Sequence, residues 1–243
     1  MGQLQDKIAV ITGASTGIGH SMAVVFAKEG ARVVLAARRR EALDQLAKEI
    51  NAGGGTALAV PTDVTNEQQV TELFQRTMEK FGRVDILINN AGTAIGKPTD
   101  ELSYEAWRTV IDCNVNGAFL CSREAFKIMK RQRSGRILNI GSVSAKVPRP
   151  NSAAYTTSKY ALEGLTRSMA VDGREHGIAV SVLQPGNVDT AIWSGREDLK
   201  KREGVMSPDD IARIAVTMLS LPANMNMFEA LVLPLTMPML GRG

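Results

Sequence analysis

The sequence predicts an α/β fold, a doubly wound parallel sheet of seven strands flanked by helices. Short β-branched runs alternate with longer amphipathic stretches along the whole chain, which is the pattern of repeated βα units. A glycine-rich turn joins the first such run to the first amphipathic stretch. The 243 residues, 44% of them hydrophobic, suffice for one large core without a second, so residues 1–243 are read as a single domain.

The strands are expected at Ile8 to Thr12, Arg32 to Ala37, Thr56 to Pro61, Val84 to Asn89, Gly135 to Gly141, Ala179 to Gln184 and Leu231 to Leu235. Helices fill the intervals at Gly17 to Gly30, Arg40 to Ala52, Asn66 to Phe81, Ser103 to Arg131, Ser152 to His176 and Pro208 to Leu221. Gly53-Gly54-Gly55 reads as the turn from the second helix into the third strand. Thr65 with Gln68 reads as a capping box at the start of the third helix. The last helix opens on Ser207-Pro208-Asp209-Asp210, an N-cap, an N1 proline and acids where the helix dipole favours them. Before it, Asn187 to Met206 has mixed charge and no clean period. A long irregular stretch just past the C-terminal end of a parallel strand is expected to act as a lid, so residues 187–206 take that role.

The 29 basic residues are interleaved with 25 acidic ones for a net charge of +4, which favours phosphate-bearing small ligands over nucleic acid. The exception to that interleaving is the run Arg38-Arg39-Arg40. Cys113 and Cys121 both fall in an expected helix, where eight residues separate their Cα atoms by about 12 Å, beyond disulfide reach. Two free thiols imply a reducing compartment. The N-terminus runs straight into Lys7-Ile8-Ala9-Val10-Ile11 without an apolar leader, and no apolar run has membrane-spanning length, so a soluble cytoplasmic protein is expected. His20 and His176 lack ligand-like neighbours, and no metal site is expected.

Four stretches carry chemistry. Thr12-Gly13-Ala14-Ser15-Thr16-Gly17-Ile18-Gly19 lies between the first strand and first helix of a Rossmann-like unit. Residues without Cβ let the backbone approach a diphosphate, and the helix N-terminus supplies N–H donors, although glycine there also serves as steric relief alone. The second strand ends Ala37-Arg38-Arg39, with a guanidinium beside the place where an NAD-binding fold presents an acid to the adenosine ribose. A 2′-phosphate suits Arg38, so NADP(H) is favoured over NAD(H); the alternative is a solvated basic helix start. Asp63-Val64 after the third strand fits either a turn or a carboxylate facing the adenine amino group. Asn89-Asn90-Ala91-Gly92 ends the fourth strand with small residues and amides, suited to a plain turn or to a backbone pressed against a cofactor. The most specific signal is Tyr155-Thr156-Thr157-Ser158-Lys159. At i and i+4 the phenol and the ammonium share a helix face, and a phenol that titrates near pH 10 in water needs such a neighbour for proton exchange at neutrality.

Together, Thr12-Gly13-x-x-x-Gly17-x-Gly19, Asn89-Asn90-Ala91-Gly92, Asn114, Ser142, Tyr155-x-x-x-Lys159 and Pro185-Gly186 resemble the short-chain dehydrogenase/reductase family in order and spacing. The resemblance implies hydride transfer between nicotinamide C4 and a carbonyl carbon, with Tyr155 exchanging the proton. Ser142 would bond the carbonyl, Lys159 would bind the nicotinamide ribose, and Asn114 would hold a relay water. The cofactor would lie on Gly13, Ser15, Thr16, Gly17, Ile18, Gly19, Arg38, Arg39, Asp63, Val64, Asn90, Ala91, Gly92, Pro185, Gly186, Val188 and Thr190. The substrate wall would come from Ala94, Ile95, Ser144, Val147, Asn151, Asn187, Ile192 and Trp193, a lining mainly apolar with few charges.

That lining points to a small or medium neutral ketone or aldehyde. The end of the chain departs from the family pattern, because Leu231-Val-Leu-Pro-Leu-Thr-Met-Pro-Met replaces the glycine-rich close of the acyl-carrier-protein reductases, and a fatty-acid-synthesis role is put in doubt. The apolar tail is expected to pack on another subunit of a homo-tetramer or dimer. A non-catalytic cofactor sensor is disfavoured because Tyr155, Lys159, Ser142 and Asn114 are all present. The remaining alternative is an NAD-dependent alcohol or sugar dehydrogenase.

Overall fold

The computed structural model describes residues 2–190 and 197–239. The strands are β1 (Ile8–Thr12), β2 (Arg32–Ala37), β3 (Thr56–Pro61), β4 (Ile86–Asn89), β5 (Gly135–Ile140), β6 (Ile178–Pro185) and β7 (Glu229–Val232). The helices are α1 (Gly17–Lys28), α2 (Arg40–Ala52), α3 (Glu67–Phe81), α4 (Tyr104–Ile111), α5 (Gly117–Gln132), α6 (Ala153–Gly173), α7 (Glu197–Glu203) and α8 (Pro208–Leu219). The seven strands form one sheet in the order β3-β2-β1-β4-β5-β6-β7, and every neighbouring pair is parallel. The order reverses between β1 and β4, which opens a crevice at the C-terminal ends of the central strands.

Burial on both sides explains why the strands read as apolar runs. Ile8 and Val10 of β1 pack with Val70, Leu73 and Met129, under α3, α5 and α6. Ala9 and Ile11 pack with Met22, Phe26 and Ile211, under α1, α2 and α8. The amphipathic helices follow the same logic: α3 buries Val70, Leu73, Phe74 and Thr77, one face at helical spacing. Gly82 closes it in the left-handed region at φ 72°.

Several expected boundaries move for local reasons. The cap of α3 is Asn66, whose side chain accepts from the Gln69 N–H at 3.1 Å, while the Thr65 hydroxyl donates to Asp63 instead. Val84 precedes β4 because its N–H goes to the Gln132 side chain rather than to the ladder. The last strand starts at Glu229 and stops at Val232, short of the expected Leu235, since Pro234 has no N–H to give. Beyond it Met237 turns back into the interior while Leu235 stands fully exposed. The stretch expected as one helix from Ser103 to Arg131 is broken by a π turn at Asp112–Asn116. By contrast, α8 opens as expected on Ser207 in a capping box with Asp210.

The lid expected over residues 187–206 is partly helical. Its described portion contains α7, and the Met206 N–H bonds the Asn187 carbonyl at 2.9 Å, with the Asp189 N–H returning to Met206. Both cysteines are free thiols.

Candidate active site

The glycine turn is held from beneath by its neighbours. The Thr12 hydroxyl donates to the Ile88 carbonyl and accepts from the N–H groups of Asn90 and Ala91 at 3.0 and 3.1 Å. Asn90 Nδ2 returns to the carbonyls of Thr12 and Gly13. This nesting leaves no space for a side chain: a Cβ on Gly19 would stand 2.4 Å from both Asn90 Nδ2 and the Gly13 carbonyl. Gly13 and Gly17 adopt φ of 65° and 58°. Thr16 precedes α1 without a side-chain capping bond, an arrangement of first-turn N–H groups that suits an anion.

Arg38 and Arg39 are exposed just beyond β2, and Arg39 Nη2 donates to Ser15 Oγ at 3.4 Å, across the glycine turn. Asp63 accepts the Thr65 N–H and hydroxyl at 3.0 and 2.8 Å, which are turn bonds. Val64 packs against the backbone at Gly117. Burial pushes the Cys113 thiol up.

On the other side of the crevice, Ser142 follows β5 as the cap of a short 3₁₀ turn, its hydroxyl accepting from the Ser144 N–H at 3.1 Å. Lys159 is buried, donates to the Ile140 carbonyl at 2.8 Å and lies 5.5 Å from the Tyr155 ring centroid. Asn114, also buried, sits in the π turn. Its Oδ1 accepts the Thr93 N–H, and its Nδ2 donates to the Thr93 carbonyl and to Ser158 Oγ, each at 2.8 to 2.9 Å. Ser158 in turn donates to the Tyr155 carbonyl. One amide hydrogen of Asn114 therefore goes to the Thr93 carbonyl and the other, through Ser158, braces the helix that carries Tyr155.

Tyr155, Ser142 and Lys159 meet in a cavity of about 780 Å³ with Ile18, Asn90, Gly92, Pro185, Gly186, Val188 and Thr190 from the expected cofactor residues. Of the residues expected in the substrate wall, Ala94, Ile95, Ser144, Asn151 and Asn187 line this cavity. Val147 does not line it, and Ile192 and Trp193 lie outside the described residues. Thr16 and Gly17 face an adjoining depression with His20, Asp189 and Asp209.

The wall also carries residues that sequence reasoning missed: Leu199 and Arg202 from α7, and Arg149 and Pro150 from the loop before α6. Arg149 Nη1 donates to the buried Glu203 at 3.3 Å, and its Nη2 also bonds Glu203. The Arg149 guanidinium, with help from Asn187 and Arg202, holds the Glu203 carboxyl down at about 2. Two arginines, Arg149 and Arg202, thus join the lining that was expected to be mainly apolar with few charges. The usable signal was Pro148-Arg149-Pro150, an arginine fixed between two prolines just upstream of Tyr155.

A family model described as short chain dehydrogenase matches residues 7–200. The chain belongs to the short-chain dehydrogenase family. It is 38% identical over 235 residues to an uncharacterized oxidoreductase of Staphylococcus saprophyticus, covering 96% of this chain and 100% of the relative. A 3-ketoacyl-(acyl-carrier-protein) reductase from Brucella melitensis complexed with NADH superposes with a TM-score of 0.88 at 33% identity, over 94% of this chain and 97% of that one. A metagenomic short-chain oxidoreductase in complex with NADP superposes with a TM-score of 0.84 at 33% identity, over 96% and 98%. Short-chain dehydrogenases are oxidoreductases that bind a nicotinamide cofactor, and the tightly nested glycines with an uncapped α1 N-terminus fit its diphosphate. No helix among the described residues is long and apolar enough to cross a membrane, and they contain no cluster suited to a metal ion.

Proposed function

We propose that this short-chain dehydrogenase is an NADP(H)-dependent carbonyl reductase acting on small to medium neutral ketones or aldehydes, in the cytoplasm and as a homo-oligomer. One observation carries the reading: a phenol, a serine hydroxyl and a buried ammonium converge on one cavity beside the glycine turn. When bound there, the nicotinamide supplies hydride from its ring C4 to the carbonyl carbon.

The remaining work belongs to side chains of this chain. Ser142 donates a hydrogen bond to the substrate oxygen and fixes its orientation. Tyr155 Oη transfers its proton to that oxygen as the C=O bond becomes an alkoxide, leaving a phenolate that the Lys159 ammonium stabilises. Asn114 keeps Tyr155 in register through Ser158 and would hold the relay water. Gly13, Ser15, Thr16, Gly17, Ile18 and Gly19 cradle the diphosphate, while Arg38 and Arg39 take the 2′-phosphate. Asp63 and Val64 bound the adenine, and Asn90, Ala91, Gly92, Pro185, Gly186, Val188 and Thr190 bound the nicotinamide half.

The NADH in the Brucella melitensis structure favours the second reading, an NAD-dependent alcohol or sugar dehydrogenase. Nucleotide oxidation across a panel of neutral, carboxylated and phosphorylated carbonyls, run with NADPH and NADH, tests both. Turnover of neutral ketones or aldehydes with NADPH preferred is expected, and turnover of carboxylate or phosphate substrates alone would refute the substrate class.

A further inference from the structure

The cavity wall contains a charge pair of which one member lines the cavity and the other does not. Arg149 lines the cavity with its side chain 21% exposed, while Glu203 stands behind it outside the lining, 3% exposed. Four segments meet at Glu203. Its carboxylate takes both Arg149 nitrogens, Asn187 Nδ2 at 3.1 Å and Arg202 Nη2 at 3.2 Å. Its carbonyl takes the Thr236 hydroxyl from the tail at 3.0 Å. Asn187 closes the cluster, accepting from Arg149 at 3.3 Å and donating to the Gly204 carbonyl.

A buried carboxylate behind a cavity-facing guanidinium alters what that guanidinium offers a ligand. An arginine with a planar fork open to a pocket is a receptor for carboxylates. Here Glu203 already occupies the fork, so the Arg149 charge is countered before any ligand enters. A ligand anion beside Arg149 would also feel the Glu203 charge across a poorly solvated wall, where repulsion is weakly screened. We infer that the Arg149–Glu203 pair is the specificity-determining element of this pocket, built to reject substrates with a carboxylate at that wall and to admit neutral ones. This inference rests on the neutral-carbonyl reading above and names the residues that would produce it.

Binding of benzoate and benzamide, equal in shape and different in charge, tests it without turnover. Both are titrated calorimetrically into the enzyme saturated with whichever nicotinamide nucleotide the turnover assay selects. Wild type should prefer benzamide. Glu203→Gln keeps acceptors for Arg149 and Asn187 while deleting the charge, and should raise the benzoate-to-benzamide affinity ratio about tenfold or more. Arg149→Gln should move the ratio the opposite way, and the double variant should return it near the wild-type value. Opposite signs in the two single variants are an outcome that mere loosening of the wall does not produce, and either variant alone tests the charge argument if the other fails to fold.

Equal changes for both ligands in every variant would overturn the inference and leave the neutral-carbonyl reading standing. A wild-type preference for benzoate would overturn it as well, and the carbonyl panel then decides separately whether the substrate class falls with it.

Discussion

Tyr155 and Lys159 lie one helical turn apart on α6, with the ammonium 5.5 Å from the phenol ring centroid. Their spacing was visible in the sequence because a helix converts i, i+4 into adjacency without help from tertiary structure. Arg38 was equally legible, since the residue after a second strand in a βαβ unit is placed by the fold itself. It stands exposed, and no neighbouring carboxylate pairs with it among the ion pairs of the described residues. Replacing Arg38 with Ala is expected to lower kcat/KM for NADPH by about 10- to 100-fold, the worth of one charge-assisted bond, and to leave that for NADH unchanged. Steady-state kinetics with both nucleotides measure this, and an unchanged ratio would remove the 2′-phosphate from the account.

At the scale of elements, the sequence showed where helices and strands lie and missed why one helix breaks. The expected helix from Ser103 to Arg131 has the right residues, yet Asn114 is drawn into bonds with Thr93 and Ser158, and the chain takes a wider turn at Asp112–Asn116 to allow them. Those partners are 21 and 44 residues away, beyond the reach of any local pattern. The same blindness placed the cap of α3 one residue early at Thr65, because Asn66 and Thr65 are both good caps and only the pull of Asp63 on Thr65 decides between them. Removing the amide in Asn114→Ala should strip three bonds, the one to Ser158 buried and the two to Thr93 partly so. We expect a loss of about 2 kcal/mol in urea unfolding and a fall in kcat larger than any change in cofactor Kd. A variant of native stability and native kcat would show that the π turn does not need the amide.

The whole molecule is one parallel sheet with helices on both faces, and that architecture was legible because both faces must be apolar to bury it. Its charged clusters were not, since they join segments distant in sequence. Lys146, Arg167 and Gln184 converge on Glu163 and Glu229, tying the turn after Ser142 to α6, β6 and β7. Burial pushes the Glu163 carboxyl up, but the bonds from Lys146, Arg167 and Gln184 outweigh it and hold it below the ordinary range. Glu203 is held at about 2. A carboxyl depressed by folding stabilises the fold above its unfolded pKa, and that contribution disappears as pH falls through the folded value. For Glu203 the window runs from the ordinary value of 4.5 down to about 2, worth about 3 kcal/mol. Urea midpoints measured between neutrality and the acid limb should therefore fall below about pH 4.5 in wild type. Glu203→Gln should begin less stable at neutrality and lose less on acidification; parallel curves would contradict the role given to this pair.

The central claim is that Tyr155 gives and takes the proton while hydride moves between nicotinamide and a neutral carbonyl. Reduction of the best ketone from the panel, followed by nucleotide oxidation in wild type and in Tyr155→Phe, tests it most directly. The account predicts a fall in kcat of about 10²- to 10⁴-fold with cofactor affinity preserved, because the ring remains and only the hydroxyl is lost. A Tyr155→Phe enzyme that retained full kcat would contradict it.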